Sequence, residues 1–245
     1  MTHKVALVTG GSTGIGAAVA KHLAEAGYRI LITGRNENTL TESAAQHENI
    51  DWIVSDVSKP DDVKKTLAHV ASTYKRRDVL VNNAGIAPQM AFADVTPEHF
   101  DHVYNINVRG LVDVTVNALP LLKESKGNII NISSAVSDRP MQGFVIYSST
   151  KGAVTNLSIG LAKELAEFGI RVNAVSPGPI DTPLFDKTGL AEDEMDGVGE
   201  KISQMVPLAR FGNADEVASI VAFLASDKAT YITGAEYRVD GGFAA

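Results

Sequence analysis

Val5-Ala6-Leu7-Val8-Thr9-Gly10-Gly11-Ser12-Thr13-Gly14-Ile15-Gly16 is a short apolar run that passes directly into a glycine-rich turn. A continuous apolar run of this length suits a strand buried on both faces of a parallel sheet. A helical pattern follows over 17–26 and stops at Gly27. Glycines between a strand and a helix N-terminus let the backbone approach a ligand closely, and the free N–H groups and helix dipole there favour phosphate. The spacing Thr-Gly-x-x-x-Gly-x-Gly is a wider variant of the Gly-x-Gly-x-x-Gly turn of dinucleotide sites. This stretch therefore predicts a strand, a phosphate cradle and a helix, in that order.

The same alternation repeats to the end of the 245 residues, which predicts one α/β domain over 1–245. Further strands are expected over 29–33, 51–55, 79–81, 127–132, 170–175 and 237–239. Long helices are expected over 97–122 and 145–168, and a shorter one over 213–225, capped by Asn213 with Glu216 in box position. The segment 184–206 lacks a strong period and carries Gly189, Gly197 and Gly199, as expected of a mobile substrate lid.

Bulk properties remove several functions. A net charge of −7 and a pI near 5.4 argue against nucleic acid, whose phosphates demand clustered Lys and Arg. With no cysteine, disulfides and thiolate chemistry are excluded, and no metal site is expected. No apolar run approaches the ~18 residues of a membrane span. The first four residues lead into a strand pattern without a signal-peptide core, so a soluble, cytoplasmic protein is expected.

Polar residues gather where strands end. In a dinucleotide site an acid about 20 residues after the glycines takes the ribose 2′-OH, whereas an Arg suits a 2′-phosphate. Gly34 and Arg35 stand there, so NADP(H) is favoured over NAD(H). A solvated Arg at a strand end is the alternative. Asp56, beside Val57, could accept a hydrogen bond from an adenine amino group; equally, Ser55, Asp56 or Ser58 could cap the helix that starts near Pro60. Asn82-Asn83-Ala84-Gly85 forms a small-residue tip beside the crevice. Asn107 falls inside a long helix, where Asn is a poor choice unless exposed or employed. Tyr147 and Lys151 lie one helical turn apart on one face. An ammonium beside a phenol favours the phenolate, which would suit a tuned acid/base. Taken alone, the spacing fits better a half-buried Tyr on an amphipathic helix with a solvated Lys beyond it. Pro177-Gly178-Pro179-Ile180-Asp181-Thr182-Pro183 reads as a rigid, irregular crossing.

Taken together, Thr9-Gly10-x-x-x-Gly14-x-Gly16, Asp56-Val57, Asn82-Asn83-Ala84-Gly85, Asn107, Ser134, Tyr147-x-x-x-Lys151 and Pro177-Gly178 resemble the short-chain dehydrogenase/reductase family in order and approximate spacing, over essentially the whole chain. The resemblance implies a Rossmann-like, doubly wound parallel sheet of about seven strands with helices on both faces. It also implies a nicotinamide cofactor and a homo-oligomer, with a tetramer favoured.

By the same resemblance Tyr147 is the general acid or base, and Lys151 favours the phenolate and holds the nicotinamide ribose. Ser134, rather than Ser133, polarises the carbonyl, and Asn107 holds a water joining Lys151 to solvent. Cofactor contacts are expected from Gly10, Ser12, Thr13, Gly14, Ile15, Gly16, Arg35, Asp56, Val57, Asn83, Ala84, Gly85, Tyr147, Lys151, Pro177, Gly178, Ile180 and Thr182. Ala135, Met141, Gln142 and Phe185 are expected to line the pocket beside Ser134.

The partner so implied is a small carbonyl or secondary-alcohol substrate. The overall look is that of 3-oxoacyl-carrier-protein reductases, whose docking cations would fall at Ser125 and Phe168 here. Neither is basic, although Lys123, Lys126 and Lys163 are near in sequence, so a free substrate is favoured. A non-catalytic NADP(H)-binding regulator would be expected to lack Tyr147 or Lys151, and both are present.

Overall fold

Successive side chains of β1 (Val5–Thr9) point to opposite sides of a sheet, as the two-residue strand period requires. Ala6 and Val8 enter one core with Ile30, Ile32 and Val81, while Leu7 enters a second with Leu31, Leu80 and Ile129. The strand is apolar throughout because helices cover both faces. This computed structural model describes residues 3–184 and 199–245.

The sheet has seven strands in the order β3-β2-β1-β4-β5-β6-β7, and every neighbouring pair is parallel. They are β2 (Arg29–Gly34), β3 (Ile50–Val54), β4 (Val79–Asn82), β5 (Asn128–Ile132), β6 (Arg171–Pro177) and β7 (Glu236–Val239) around β1. Helices α1 (Gly14–Glu25) and α8 (Ala214–Ala225) close the first core through Leu23, Val217 and Val221. Helices α3 (Pro60–Thr73), α5 (Gly110–Ser125) and α6 (Val145–Leu165) close the second through Leu67, Leu122 and Ala162. Between them in the chain lie α2 (Glu37–Ala44), α4 (Pro97–Tyr104) and α7, helical over 199–204. Strand order reverses between β1 and β4, and a crevice opens at the C-terminal ends of the strands there.

Local departures from the sequence expectation have physical causes. Helix α1 begins at Gly14 rather than at 17, so two of the glycines form its first turn. Helix α2 escaped the periodicity because only Leu40 and Ser43 are buried; its start is set by Asn36, whose side chain accepts from the N–H groups of Asn38 (2.9 Å) and Thr39 (3.3 Å). The single helix expected over 97–122 is interrupted by a π turn at Asn105–Arg109. A π turn adds one residue and so re-aims the side chains it carries. It buries Asn107, whose Nδ2 donates to the Ile86 carbonyl (2.9 Å) and Thr150 Oγ1 (3.1 Å), while its Oδ1 accepts from the Ile86 N–H (2.9 Å). Helix α8 has the expected Asn213–Glu216 capping box. Most of the expected lid, 185–198, lies outside the described residues; of its remainder, Ile202 and Val206 are buried.

Candidate active site

The glycine turn is bolted to the tip of β4. Asn83 Nδ2 donates to the carbonyls of Thr9 (3.0 Å) and Gly10 (2.9 Å), and Thr9 Oγ1 accepts from the N–H groups of Asn83 (3.0 Å) and Ala84 (3.1 Å). Gly10 has φ +64, which disfavours other residues, and a Cβ there would lie 2.9 Å from Ala84 Cα. A Cβ on Gly16 would lie 2.1 Å from the Gly10 carbonyl oxygen. Gly16→Ala is therefore expected to cost about 1–3 kcal/mol of stability, read by urea denaturation, and to weaken dinucleotide binding as the turn is displaced.

A groove runs from this turn along Ser12, Thr13, Gly14 and Ile15 to Arg35, Asp56 and Val57, with Asn83, Ala84 and Gly85 on its inner wall and Thr182 opposite Gly14. Gly16 is behind the groove. The donor set fits a dinucleotide: no acid occupies the first turn of α1, and Arg35 is exposed at the far end. Burial works to raise the Asp56 pKa, but hydrogen bonds from Ser58 and the nearby Arg35 outweigh it and hold the carboxyl below its usual value. Asp56 Oδ1 accepts from the Ser58 N–H (3.0 Å) and hydroxyl (2.7 Å). Neither Ser55 nor Ser58 caps α3: Lys59 holds the N-cap position and makes no side-chain cap bond. His99, His102 and Ile106 also line the groove. Sequence spacing did not identify them, because they reach it from α4 and the π turn rather than from the end of a strand.

Tyr147, Lys151 and Ser134 line one cavity that adjoins the groove. The Ser134 hydroxyl is near enough to the Tyr147 phenol to favour its ionised form, and it donates, at 3.4 Å, to the Pro177 carbonyl. Ser133 is committed elsewhere: its hydroxyl donates to the Lys151 carbonyl (3.0 Å) and lies 2.8 Å from Thr155 Oγ1, tying the end of β5 to α6. Deeper, Asn82 Nδ2 donates to Thr115 Oγ1 (3.0 Å) and Asn131 Oδ1 (2.8 Å), and Asn131 Nδ2 donates to Ser158 Oγ (2.9 Å). This buried ladder sets α6 against β5 and β4. Lys151 Nζ lies 5.7 Å from the centre of the Tyr147 ring and donates to the Ile132 carbonyl at 2.8 Å.

The electrostatics differ from the sequence expectation. Burial pushes the Tyr147 phenol up to about 12, only partly offset by the nearby Ser134 hydroxyl, and pushes Lys151 down to about 8. Desolvation, not the expected attraction between ammonium and phenolate, dominates both shifts and favours the neutral phenol.

Beyond Ser134 the cavity is apolar. Ala135 and Met141 line it, with Val136, Phe144, Phe211 and Phe243; Pro177, Gly178 and Ile180 line this cavity and not the groove, and Thr182 lines both. Gln142 instead lines a separate recess with Gln89 and Phe92, and Phe185 lies outside the described residues. No periodic signal marks Phe211 or Phe243, which arrive from segments remote from the catalytic helix. Among the described residues no cluster of potential metal ligands occurs, and no helix is long and apolar enough to cross a membrane.

Comparison with known proteins places the fold in a family. Residues 10–244 match a family model described as enoyl-(acyl carrier protein) reductase. The chain is 39% identical over 245 residues to the 3-oxoacyl-[acyl-carrier-protein] reductase FabG of Staphylococcus aureus, covering 98% of this chain and 97% of that protein. The crystal structure of 3-ketoacyl-(acyl-carrier-protein) reductase from Brucella melitensis complexed with NADH superposes with a TM-score of 0.92 at 33% identity, covering 99% of this chain and 98% of that one. An actinorhodin polyketide ketoreductase variant with NADPH also gives 0.92, at 31% identity, covering 99% and 97%. The fold and site define a nicotinamide-dependent reductase. The chain belongs to the short-chain dehydrogenase/reductase family and is an NAD(P)-dependent oxidoreductase acting on carbonyl substrates.

Proposed function

We propose that the chain reduces a free ketone with NADPH, with Tyr147 as general acid. The observation that carries this reading is the convergence of Ser134, Tyr147 and Lys151 on one cavity beside a groove that ends at Arg35. When bound, the nicotinamide cofactor supplies hydride to the carbonyl carbon. The C=O π pair moves to oxygen, and Tyr147 protonates the alkoxide as it forms. Ser134 donates a hydrogen bond that strengthens as charge develops on that oxygen. Lys151 holds the nicotinamide ribose and favours the phenolate left behind. Asn107 carries the relay from Lys151 to solvent; what supports this is that a Cβ on Gly85 would lie 3.3 Å from Asn107 Oδ1 and 3.7 Å from Lys151 Nζ. Incubation with NADPH and a ketone panel tests the reading, and cofactor binding without oxidation would favour a sensing role.

Arg35 supports NADPH over NADH. Arg35→Glu is expected to weaken NADPH by about 10- to 100-fold, the worth of a hydrogen bond to a charged group, and to leave NADH much less affected. Titration with both cofactors checks this, and equal losses would mean that Arg35 does not touch the 2′-phosphate.

The carrier-linked reading draws support from the names of the relatives. Lys123 sets its ammonium 3.4 Å from the centre of the Phe168 ring, returning a cation to one docking position. Lys123 and Phe168, however, precede β5 and β6 and lie at the N-terminal edge of the sheet, opposite Ser134 and Tyr147. They do not rim this chain's own cleft, which favours a substrate free in solution. A carrier-linked 3-oxoacyl substrate outcompeting free ketones would reverse that preference.

A homotetramer in the cytoplasm completes the proposal. Val112 and Val116 on α5 and Ile159 on α6 are solvent-facing aliphatics on the two long helices, as a subunit contact through them would require. Light scattering on the purified protein reads the assembly.

A further inference from the structure

The end of the chain folds back over the cavity. Phe243 is 1% exposed, packs with Ala135, the neighbour of Ser134, and with Val206, and meets Val136 and Met141. It lines the same cavity as the catalytic residues. Several fastenings hold it. The Arg139 guanidinium lies 5.0 Å from the centre of its ring and donates to its carbonyl oxygen. Asp240 accepts from the N–H groups of Gly242 and Ala244, both at 3.0 Å, and the Gly241 carbonyl accepts from the Leu208 N–H at 3.2 Å. Asp138, next to Arg139, pairs with Arg238 of β7, so the β5–α6 loop and the tail are tied twice.

The cavity's chemistry is equally one-sided. Among the described residues its polar lining consists of Asn83, Ser133, Ser134, Tyr147, Lys151 and Thr182, of which Asn83 and Thr182 also line the groove, and no carboxylate or second cation faces it. Among the described residues a charged substituent would find no partner there to offset its desolvation, which is strongly unfavourable. An apolar one would bury surface against Met141, Phe144 and Phe243.

We propose that Phe243, positioned by Arg139, is a specificity-determining residue that closes the apolar end of the cavity and limits the substrate to an uncharged ketone with a compact alkyl or aryl substituent. The proposal rests on the ketone-reductase reading for turnover, but not for the shape of the pocket. Removing the ring opens space next to Ala135. Removing Arg139 frees the tail without touching the substrate.

The test uses the full chain with saturating NADPH and a series of methyl ketones from butan-2-one to decan-2-one, with 2-oxo acids of matched length. Wild type is expected to favour short ketones and to reject the acids. Phe243→Ala is expected to raise kcat/KM for the longest ketones relative to the shortest by at least about tenfold, the discrimination available from methylene-sized differences in an apolar pocket. Phe243→Leu should give a smaller shift. Arg139→Ala should move the profile the same way, with KM changing more than kcat, and Arg139→Lys should restore part of it. A loss of the same factor for every ketone, or efficient use of the acids, overturns the proposal.

Calorimetric binding of the same ketones to the cofactor-loaded protein reads the size limit without turnover. Size-limited binding that Phe243→Leu and Arg139→Ala relax, without any reduction, would sustain the proposal while the reductase reading fails. Binding that ignores chain length in every variant, or no binding at all, overturns it.

Discussion

Tyr147→Phe is expected to lower kcat for ketone reduction by about a hundred- to ten-thousand-fold, the usual contribution of a positioned general acid. The substitution removes one oxygen and leaves the ring packed, so affinity for the cofactor should change little. Stopped-flow turnover beside equilibrium titration separates the two, and retained activity would show that another group delivers the proton. The same site sets a pH dependence. Tyr147, raised to about 12 by burial, stays protonated throughout the neutral range and does not limit the reduction. Lys151, lowered to about 8 by burial, carries its charge below that pH and loses it above. Reduction should therefore slow as pH rises through about 8, and Lys151→Met should abolish this pH dependence as well as slow the reaction. A rate flat to pH 10 in the parent protein would show that the ammonium has no part in the step.

Arg77→Leu is expected to stabilise the protein by about 2–4 kcal/mol, the upper part of the range found when buried ion pairs give way to apolar side chains of similar volume, because here no partner offsets the desolvation. Arg77 precedes β4 and is 0% exposed, and Nε, Nη1 and Nη2 all lack a hydrogen-bond partner. Burial alone pushes its guanidinium down to about 9, a measure of how poorly the charge is solvated there. The neighbouring charges are already committed: Arg76 pairs with Asp78 at 2.7 Å, and Asp78 also accepts from the Val5 N–H at 2.9 Å. Thermal unfolding should shift upward by roughly 5–15 °C, taking 2–4 °C per kcal/mol for a chain of this size. Arg77→Met offers a second apolar replacement that keeps an unbranched stem. If both variants are less stable than the parent, the guanidinium has a compensating partner and the argument from burial fails.

Much of the site was legible because its residues stand at fixed distances from features that sequence displays directly. Gly10, Asp56, Asn83, Ser134 and Thr182 each follow a strand, and strand C-termini in a parallel sheet converge on one edge. Tyr147 and Lys151 share a helix face through a spacing of four. Asn107 stood out as a helix-interior Asn, but the π turn that turns it toward Ile86 and Thr150 has no signature in the residue pattern. Gln142 illustrates the opposite case. It lies next to Met141 in sequence, yet it faces a different recess, because the loop turns at Gly143, where φ is +80.

Spacing and periodicity by themselves determined the seven-stranded α/β architecture, the glycine cradle and the shared helix face of Tyr147 and Lys151, since each depends on residues a few positions apart. Ser134, by contrast, was named only through the family resemblance. Tertiary structure alone decided that burial raises the Tyr147 phenol rather than depressing it, that Arg77 is sealed from solvent, and that Phe243 walls the cavity. Those outcomes depend on which distant segments exclude water from a side chain, and no local period carries that information.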